Sequence, residues 1–127
     1  MPQAETLKLK IQLLCGDEIA MGPGKADLLD AIVAHGSISA AARAMGMSYR
    51  RAWLLVDAMN RCWAELLVET APGHNKGGGA RLSEAGRRVL AEYRSLQAAV
   101  NDTAHGTAWR RLGESLRAEP RTRTAQA

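Results

Sequence analysis

Two adjacent arginines, Arg50 and Arg51, stand at the start of a segment with helical periodicity. A guanidinium group is a planar fork that can pair with both acceptors on the edge of a guanine, which is worth roughly 1–3 kcal/mol of base discrimination. We predict that contact for Arg50, with a phosphate contact as the open alternative, and a phosphate contact for Arg51. Tyr49 and Trp53 are four residues apart and therefore neighbours on a helix, where they could contact thymine methyl groups and sugars. For Trp53, packing inside the domain is an equally good interpretation.

The run Ser37–Leu55 has small and apolar residues at the offsets that two helices meeting at a tight turn require. With Ile38 counted as position one, positions four and five are Ala41 and Ala42, which leave room for a second helix to cross. Position nine is Gly46, which can take a positive φ at little cost. This pattern predicts a helix-turn-helix, a unit that places its second helix in the DNA major groove. An ordinary helical hairpin in a protein core meets parts of the same pattern.

Serines mark the start of both helices of this unit. Ser37 or Ser39 is expected to be the N-cap of the first helix, over about residues 40–45, and its free N–H groups would form a phosphate site with Arg43 on the flank. Ser48 is expected to cap the second helix, over about residues 49–63. We assign the inner face of that helix to Ala52, Leu55, Val56 and Met59, with Cys62 and Trp63 as further candidates.

The segments before and after this unit predict short strands. Residues 7–14 alternate apolar and polar side chains, which predicts a half-buried strand, and residues 18–21 could return beside it. A helix should then run from Pro23 to a stop at Gly36.

Two further strands, at 66–70 and 80–82, flank a loop rich in glycine and proline, which is the layout of a winged domain. The wing residues His74, Asn75 and Lys76 could contact the DNA backbone or minor groove, with Arg81 at the base of the wing. Gly77–Gly79 could instead belong to a nucleotide-binding loop, but the Lys-Ser/Thr ending of such loops is missing.

A last long helix should begin after Ser83 and reach about Ala104. Its apolar stripe repeats at steps of four and three, as in coiled coils, and could pack on its own domain or on a second subunit. We favour the second subunit, because a short winged domain cannot cover so long a stripe. The predicted interface residues are Val89, Tyr93, Leu96 and Val100.

These elements predict an α+β, mainly α, fold: a winged helix-turn-helix with a long C-terminal dimerisation helix. We expect residues 1–105 to form the DNA-binding and dimerisation domain and residues 106–127 to form a short helix, with Trp109, Leu112 and Leu116, and a disordered basic tail.

Composition narrows the class of protein. The net charge of +4 suits a polyanionic partner. Cys15 and Cys62 are expected to be reduced and buried, and neither they nor the three histidines have metal-ligand spacing.

No Ser, His and carboxylate grouping suggests an enzyme. Apolar runs fall short of membrane length and the N-terminus does not resemble a signal peptide, so we expect a cytoplasmic protein without cofactor or metal.

The region from about Leu7 to Val100 resembles the N-terminal DNA-binding domain of the ModE family of molybdate-responsive regulators, which is related to that of LysR-type regulators. The resemblance rests on GSISAAARAMGMSYRRAW at 36–53, DAMN at 57–60, LLVET, GGGARLSEAGRRVL and Tyr93. It implies a homodimer that binds a palindromic operator, with a wing at Ala71–Gly79. The implied recognition-helix positions are Ser48, Tyr49, Arg50, Arg51 and Trp53.

One departure from the family limits what the resemblance implies. Family members continue into a molybdate-binding module of small β-barrel domains, whereas no strand-rich segment follows Val100 here. We therefore expect a regulator of molybdate or other metal or oxyanion-related genes that binds double-stranded DNA, with a separate effector-sensing protein as an open option. The alternative is a protein-interaction module that regulates a partner without binding DNA. A small enzyme or an oxyanion-binding protein is a third, weaker hypothesis.

Overall fold

The computed structural model describes residues 7–71 and 78–123. The fold is α+β and mainly helical, as predicted. Its helices are α1 Pro23–His35, α2 Ile38–Met45, α3 Tyr49–Cys62, α4 Glu84–Ala104 and α5 Thr107–Ser115. Its strands form two antiparallel hairpins, β1 Leu13–Cys15 with β2 Glu18–Met21, and β3 Val68–Ala71 with β4 Gly79–Leu82. One compact unit comprises residues 10–97; the described part of a second comprises 7–9 and 98–123.

Local sequence signals set the ends of the central helices. Pro23 occupies the first turn of α1, and Gly36 ends that helix with a φ of 79°, its N–H donating to the Ile32 carbonyl. Ser37, rather than Ser39, caps α2: its Oγ accepts from the Ala40 N–H at 3.0 Å. Gly46 makes the turn between α2 and α3 with a φ of 70°, a conformation that costs glycine little.

The N-terminal strand is shorter than the alternation of residues 7–14 predicted. Only Leu13–Cys15 pairs with β2, and the register shifts between Leu13 and Leu14. The reason is the partner strand, which has four residues and ends at Met21, directly before the start of α1. Residues preceding Leu13 therefore have no strand beside them to complete a ladder.

The core of the larger unit is aliphatic, in keeping with a sequence that has no phenylalanine. Alanines at the crossing of α2 and α3 are almost fully buried, so the two helices approach closely there. The largest fully buried side chains are Met21, Leu28, Leu29, Ile32, Met59, Leu67 and Val68.

Tyr93 belongs to this core, although the sequence placed it in a stripe facing a second subunit. Its side chain is 3% exposed, and its hydroxyl donates to the Ile11 carbonyl at 2.7 Å. Burial raises the pKa of Tyr93 above its usual range. The stripe on α4 is thus split, since Tyr93 packs inward while Leu96 is 41% exposed and Val89 and Val100 are half-buried.

The two cysteines are free, but the expectation that both are buried is wrong. Cys15 is exposed and Cys62 is half-buried. The β1–β2 sheet has only two strands, and Cys15 lies at its end beside the Gly16–Asp17 turn, where no layer covers it.

Candidate nucleic-acid interface

Helix α3 presents a clear division between a buried and an open face. Ser48 begins the helix as predicted, with its Oγ accepting from the Arg51 N–H at 3.0 Å. Ala52, Val56 and Met59 turn inward. The outer face in the first two turns carries Arg50 and Arg51, both exposed, and Tyr49, Trp53 and Leu54, which are 54%, 46% and 45% exposed.

The arginines of the helix-turn-helix differ from the arginines around it. Within the described part of the chain, Arg43, Arg50 and Arg51 make no side-chain hydrogen bond or ion pair. No aspartate or glutamate lies between Asp30 and Asp57. Four other arginines pair with acids: Arg61 with Asp57 and Glu18, Arg81 with Glu69, Arg88 with Glu65, and Arg94 with Asp27 and Asp30. Arg87 and Arg110 have hydrogen-bond partners that are not acids. The outer face of α3 therefore carries uncompensated positive charge.

Lys25 on α1 is a half-buried cation that sequence reasoning did not single out. Its pKa is lowered, mainly by burial; the charge of Glu18 opposes this lowering, and the charge of Arg51 adds to it to a smaller extent. Because Glu18 acts on Lys25 more strongly than Arg51 does, we do not count this lysine with the uncompensated arginines of α3.

The predicted phosphate site at the start of α2 lies apart from the start of α3. Ser37 is half-buried and its oxygen is engaged as the N-cap, and Ser39 is half-buried in the first turn. Arg43 lies in the last turn of α2. The eight residues of α2 separate Ser37 from the Gly46 turn by about 12 Å of helix.

The wing strands are in register from Val68 opposite Leu82 to Ala71 opposite Gly79. The predicted wing contacts His74, Asn75 and Lys76 lie outside the described residues. Arg81 is exposed at the base of the wing, as predicted, but its guanidinium forms an ion pair with Glu69 at 3.2 Å across the strands. Its positive charge is therefore partly compensated, in contrast to that of Arg50.

Asn60, which sequence reasoning did not single out, joins α3 to the wing. Its Oδ1 accepts from the N–H groups of Leu67 and Val68 at 2.8 and 3.1 Å, and its Nδ2 donates to the Val68 carbonyl at 3.1 Å. Asn60 follows Val56, which is buried, by four residues and therefore lies on the same apolar face of the helix. A polar side chain on that face is the sequence feature that could have identified Asn60.

The start of α4 rests on the same backbone segment. Ser83 donates through its hydroxyl to the Leu66 carbonyl at 2.6 Å and through its N–H to the Leu67 carbonyl at 2.9 Å. Its Oγ also accepts from the Gly86 N–H at 2.9 Å, so Ser83 caps α4, which begins after it as predicted. Gly86 lies so close to Leu67 that a Cβ built on it would be 2.1 Å from the Leu67 oxygen. This contact explains why the sequence LSEAG, residues 82–86, ends in glycine, since a Cβ at position 86 would clash with Leu67.

None of the helices in residues 7–71 and 78–123 is long and apolar enough to cross a membrane. The same residues contain no group of three or more His, Cys, Asp or Glu side chains arranged to hold a metal ion.

The two small hairpins, the helix-turn-helix and the exposed α3 define a winged-helix DNA-binding fold. A solved structure supports this class: the DNA-binding domain of CbnR, crystallised with DNA, matches 64% of this chain and 87% of its own length with a TM-score of 0.51 and 20% identity. At that identity the likeness shows the fold alone.

Sequence relatives confirm the prediction of a ModE-like winged-helix domain. The chain is 49% identical over 80 residues to the molybdenum-pterin-binding protein MopB of Rhodobacter capsulatus, covering 63% of this chain and 30% of MopB. It is 39% identical over 92 residues to the DNA-binding transcriptional dual regulator ModE of Escherichia coli K12, covering 72% of this chain and 34% of ModE. The chain thus spans about a third of the length of these relatives. No family model matches it. The regulators among the relatives agree with the expectation that the chain is not an enzyme.

Proposed function

We propose that the chain is a cytoplasmic, sequence-specific DNA-binding regulator of transcription. The observation that carries this proposal is the uncompensated positive charge of Arg50 and Arg51 on the open face of α3. Structural arginines are commonly paired with acids, as Arg61 and Arg94 are here. Exposed guanidinium groups without an acidic partner suit an external anion. The ModE relative named as a DNA-binding regulator supports the same conclusion.

In the proposed complex the first two turns of α3 enter the major groove. Arg50 reads a guanine edge, Tyr49 and Trp53 contact thymine methyl groups and sugars, and Arg51 binds a phosphate. Phosphate contacts would supply most of the affinity and base contacts the selectivity. Further phosphate or backbone contacts are proposed for Ser37, Ser39, Arg43, Ser48 and Arg81 and for the wing residues His74, Asn75 and Lys76.

We assign the homodimer contact to the outer side of α4. A mainly apolar cavity of about 290 Å³ lies beside this helix. Its lining comprises Leu13, Met21 and Trp63 and, from α4, Val89, Tyr93 and Leu96 with the charged residues Arg88 and Glu92. A second copy could fill this cavity with its own apolar side chains, and Val100 would extend the contact. A two-fold pair presents two recognition helices, which calls for a palindromic operator.

The regulated genes are proposed to concern molybdenum or a related oxyanion. This rests on the names of the relatives, among them the molybdenum transport protein ModE of Azotobacter vinelandii, 41% identical over 78 residues. We propose that a separate effector-sensing protein detects the oxyanion and acts on this chain. Calorimetry with molybdate tests this, because binding of the anion by the chain itself would make a separate sensor unnecessary.

Selection of bound sequences from a random DNA pool tests the proposal directly. The expected result is a motif with two-fold symmetry, bound with an affinity that falls steeply as salt rises, because several phosphate contacts release counterions. A protein-interaction module would return no enriched motif, and its apolar contacts would show little salt dependence. That outcome would reject DNA binding in favour of the alternative.

Replacing Arg50 by alanine should relax specificity. The expected loss is about 5- to 150-fold in the preference for cognate over random DNA, corresponding to the roughly 1–3 kcal/mol of a bidentate guanine contact. Competition binding at fixed salt measures it. The matched control is Arg111→Ala, which removes the same charge from an exposed arginine on α5, outside the proposed contacts. If Arg50→Ala loses as much affinity for random DNA as for cognate DNA, as the control variant should, Arg50 does not contact a base.

Replacing Leu96 by glutamate should weaken the dimer by at least about tenfold in Kd, because a carboxylate would have to be desolvated in an apolar contact. Sedimentation equilibrium of the parent chain and of the Leu96→Glu variant measures the change in Kd. Leu112→Glu on α5 is the control, since Leu112 is 68% exposed and outside the proposed contact. An unaltered Kd for the Leu96 variant would place the dimer contact elsewhere.

A further inference from the structure

The last turn of α3 is fixed to the β1–β2 hairpin by the residues on either side of Cys62. Arg61 forms an ion pair with Glu18 at 3.3 Å, and Trp63 Nε1 donates to the Ala20 carbonyl at 3.0 Å. Glu18 is also the cross-strand partner of Cys15. The backbone geometry therefore brings together two cysteines that stand far apart in the sequence.

Cys15 and Cys62 both lie at this junction: Cys15 faces Glu18 across the hairpin, and Cys62 follows Arg61, which pairs with Glu18. Both cysteines are free. Cys15 is exposed at the end of β1, whereas Cys62 is half-buried. Burial raises the pKa of the Cys62 thiol, and the neighbouring Cys15 raises it further. Cys15 is thus the thiol that a dissolved reagent meets first.

We propose that Cys15 and Cys62 form an oxidation site, at which a hydroperoxide converts the two thiols into a reversible intramolecular disulfide. A soft metal ion is the other ligand class that paired thiols attract. The described residues include no group of three or more His, Cys, Asp or Glu side chains that could complete such a site, and this favours oxidation. The proposal goes beyond DNA binding and does not depend on it.

The chemistry balances with hydrogen peroxide as the oxidant. The Cys15 thiolate attacks one peroxide oxygen, the O–O bond breaks, and hydroxide leaves and takes up a proton to become water, which leaves a sulfenic acid on Cys15. The Cys62 sulfur then attacks the Cys15 sulfur. The S–S bond forms as the S–O bond breaks, and the Cys62 proton leaves with the hydroxyl group as a second water. An external dithiol reverses the reaction by thiol–disulfide exchange.

The test uses the full chain, reduced and folded, treated with hydrogen peroxide. We expect both thiols to disappear together, peptide mapping to find one cross-link between Cys15 and Cys62 within a single chain, and dithiothreitol to restore both thiols. Because Cys15 is the exposed thiol, Cys15→Ser should slow the first oxidation step more than Cys62→Ser does.

A positional control separates this geometry from chance encounters of two thiols. In the double variant Leu14→Cys, Cys15→Ser the thiol is displaced by one residue, and neighbouring strand residues project to opposite faces. Leu14 is 66% exposed, so the substitution should not disturb folding, and circular dichroism checks this. We expect its disulfide to form at least about tenfold more slowly than that of the parent chain.

Three results would overturn the proposal. Cys15 could proceed to sulfinic acid while Cys62 keeps its thiol, the cross-link could join separate chains, or the positional control could form its disulfide as fast as the parent. Any of these would show that the native arrangement does not direct the reaction.

Discussion

Gly86→Ala should abolish folding or destabilise the domain by more than about 3 kcal/mol. The new Cβ would lie 2.1 Å from the Leu67 oxygen and 3.0 Å from the Leu67 carbonyl carbon. These are backbone atoms, and they have little freedom to move, because the Leu67 oxygen accepts from the Ser83 N–H and the Leu67 N–H donates to Asn60. Relief of the clash would require α4 to move away from the segment it rests on.

Urea unfolding followed by circular dichroism measures the effect, and Gly24→Ala is the matched control. Gly24 also lies in a helix, but a Cβ built there meets nothing within 4 Å. That variant should keep its stability or gain up to about 1 kcal/mol, since alanine loses less backbone entropy than glycine on folding. A Gly86 variant within about 1 kcal/mol of the parent would contradict the close approach of α4 to Leu67.

Asn60→Ala should be the second most damaging change, with an expected loss of about 2–4 kcal/mol. The side-chain amide satisfies the N–H groups of Leu67 and Val68, which are 0% and 2% exposed. A buried donor left without its acceptor costs about 1–3 kcal/mol. Asn60→Asp retains the acceptor atoms but cannot donate to the Val68 carbonyl, so its loss should be smaller.

The same unfolding measurement serves for Asn60, with Asn101→Ala as control. Asn101 is an exposed asparagine in α4, and its replacement by alanine should be neutral or slightly stabilising. Equal stability of the Asn60 and Asn101 variants would mean that the amide does not hold the wing to α3.

Much of the fold could be predicted because its signals are local. Pro23, Gly36 and Ser48 bound helices through interactions with residues at most four positions away, and each was assigned correctly. The length of β1 could not be predicted in the same way, since it depends on how far its partner strand extends. The burial of Tyr93 within its own domain could not be predicted either, because periodicity identifies an apolar stripe but not whether the same domain or a second subunit covers it.

The candidate site could likewise be predicted only where local sequence signals determine it. The exposure of Arg50 and Arg51 followed from the helical period of α3. Their lack of acidic partners could not be predicted fully, because ion pairs join distant positions: Arg61 reaches back to Glu18, and Arg94 to Asp27. Asn60 acquires its role from its contacts with Leu67 and Val68. The DNA contacts themselves stay predictions that the binding experiments test.

The peptide groups of Leu67 connect three parts of the molecule: Asn60 of α3 binds its N–H, Ser83 before α4 binds its carbonyl, and the β3 strand continues from it. Such a junction has a mechanical consequence. A displacement of the first turns of α4 would act on α3 through the Leu67 peptide groups, which Ser83 and Asn60 both bind. The proposed subunit contact on α4 and the proposed DNA-contacting surface of α3 are therefore connected through one backbone segment, and a shift of the former would be transmitted to the latter.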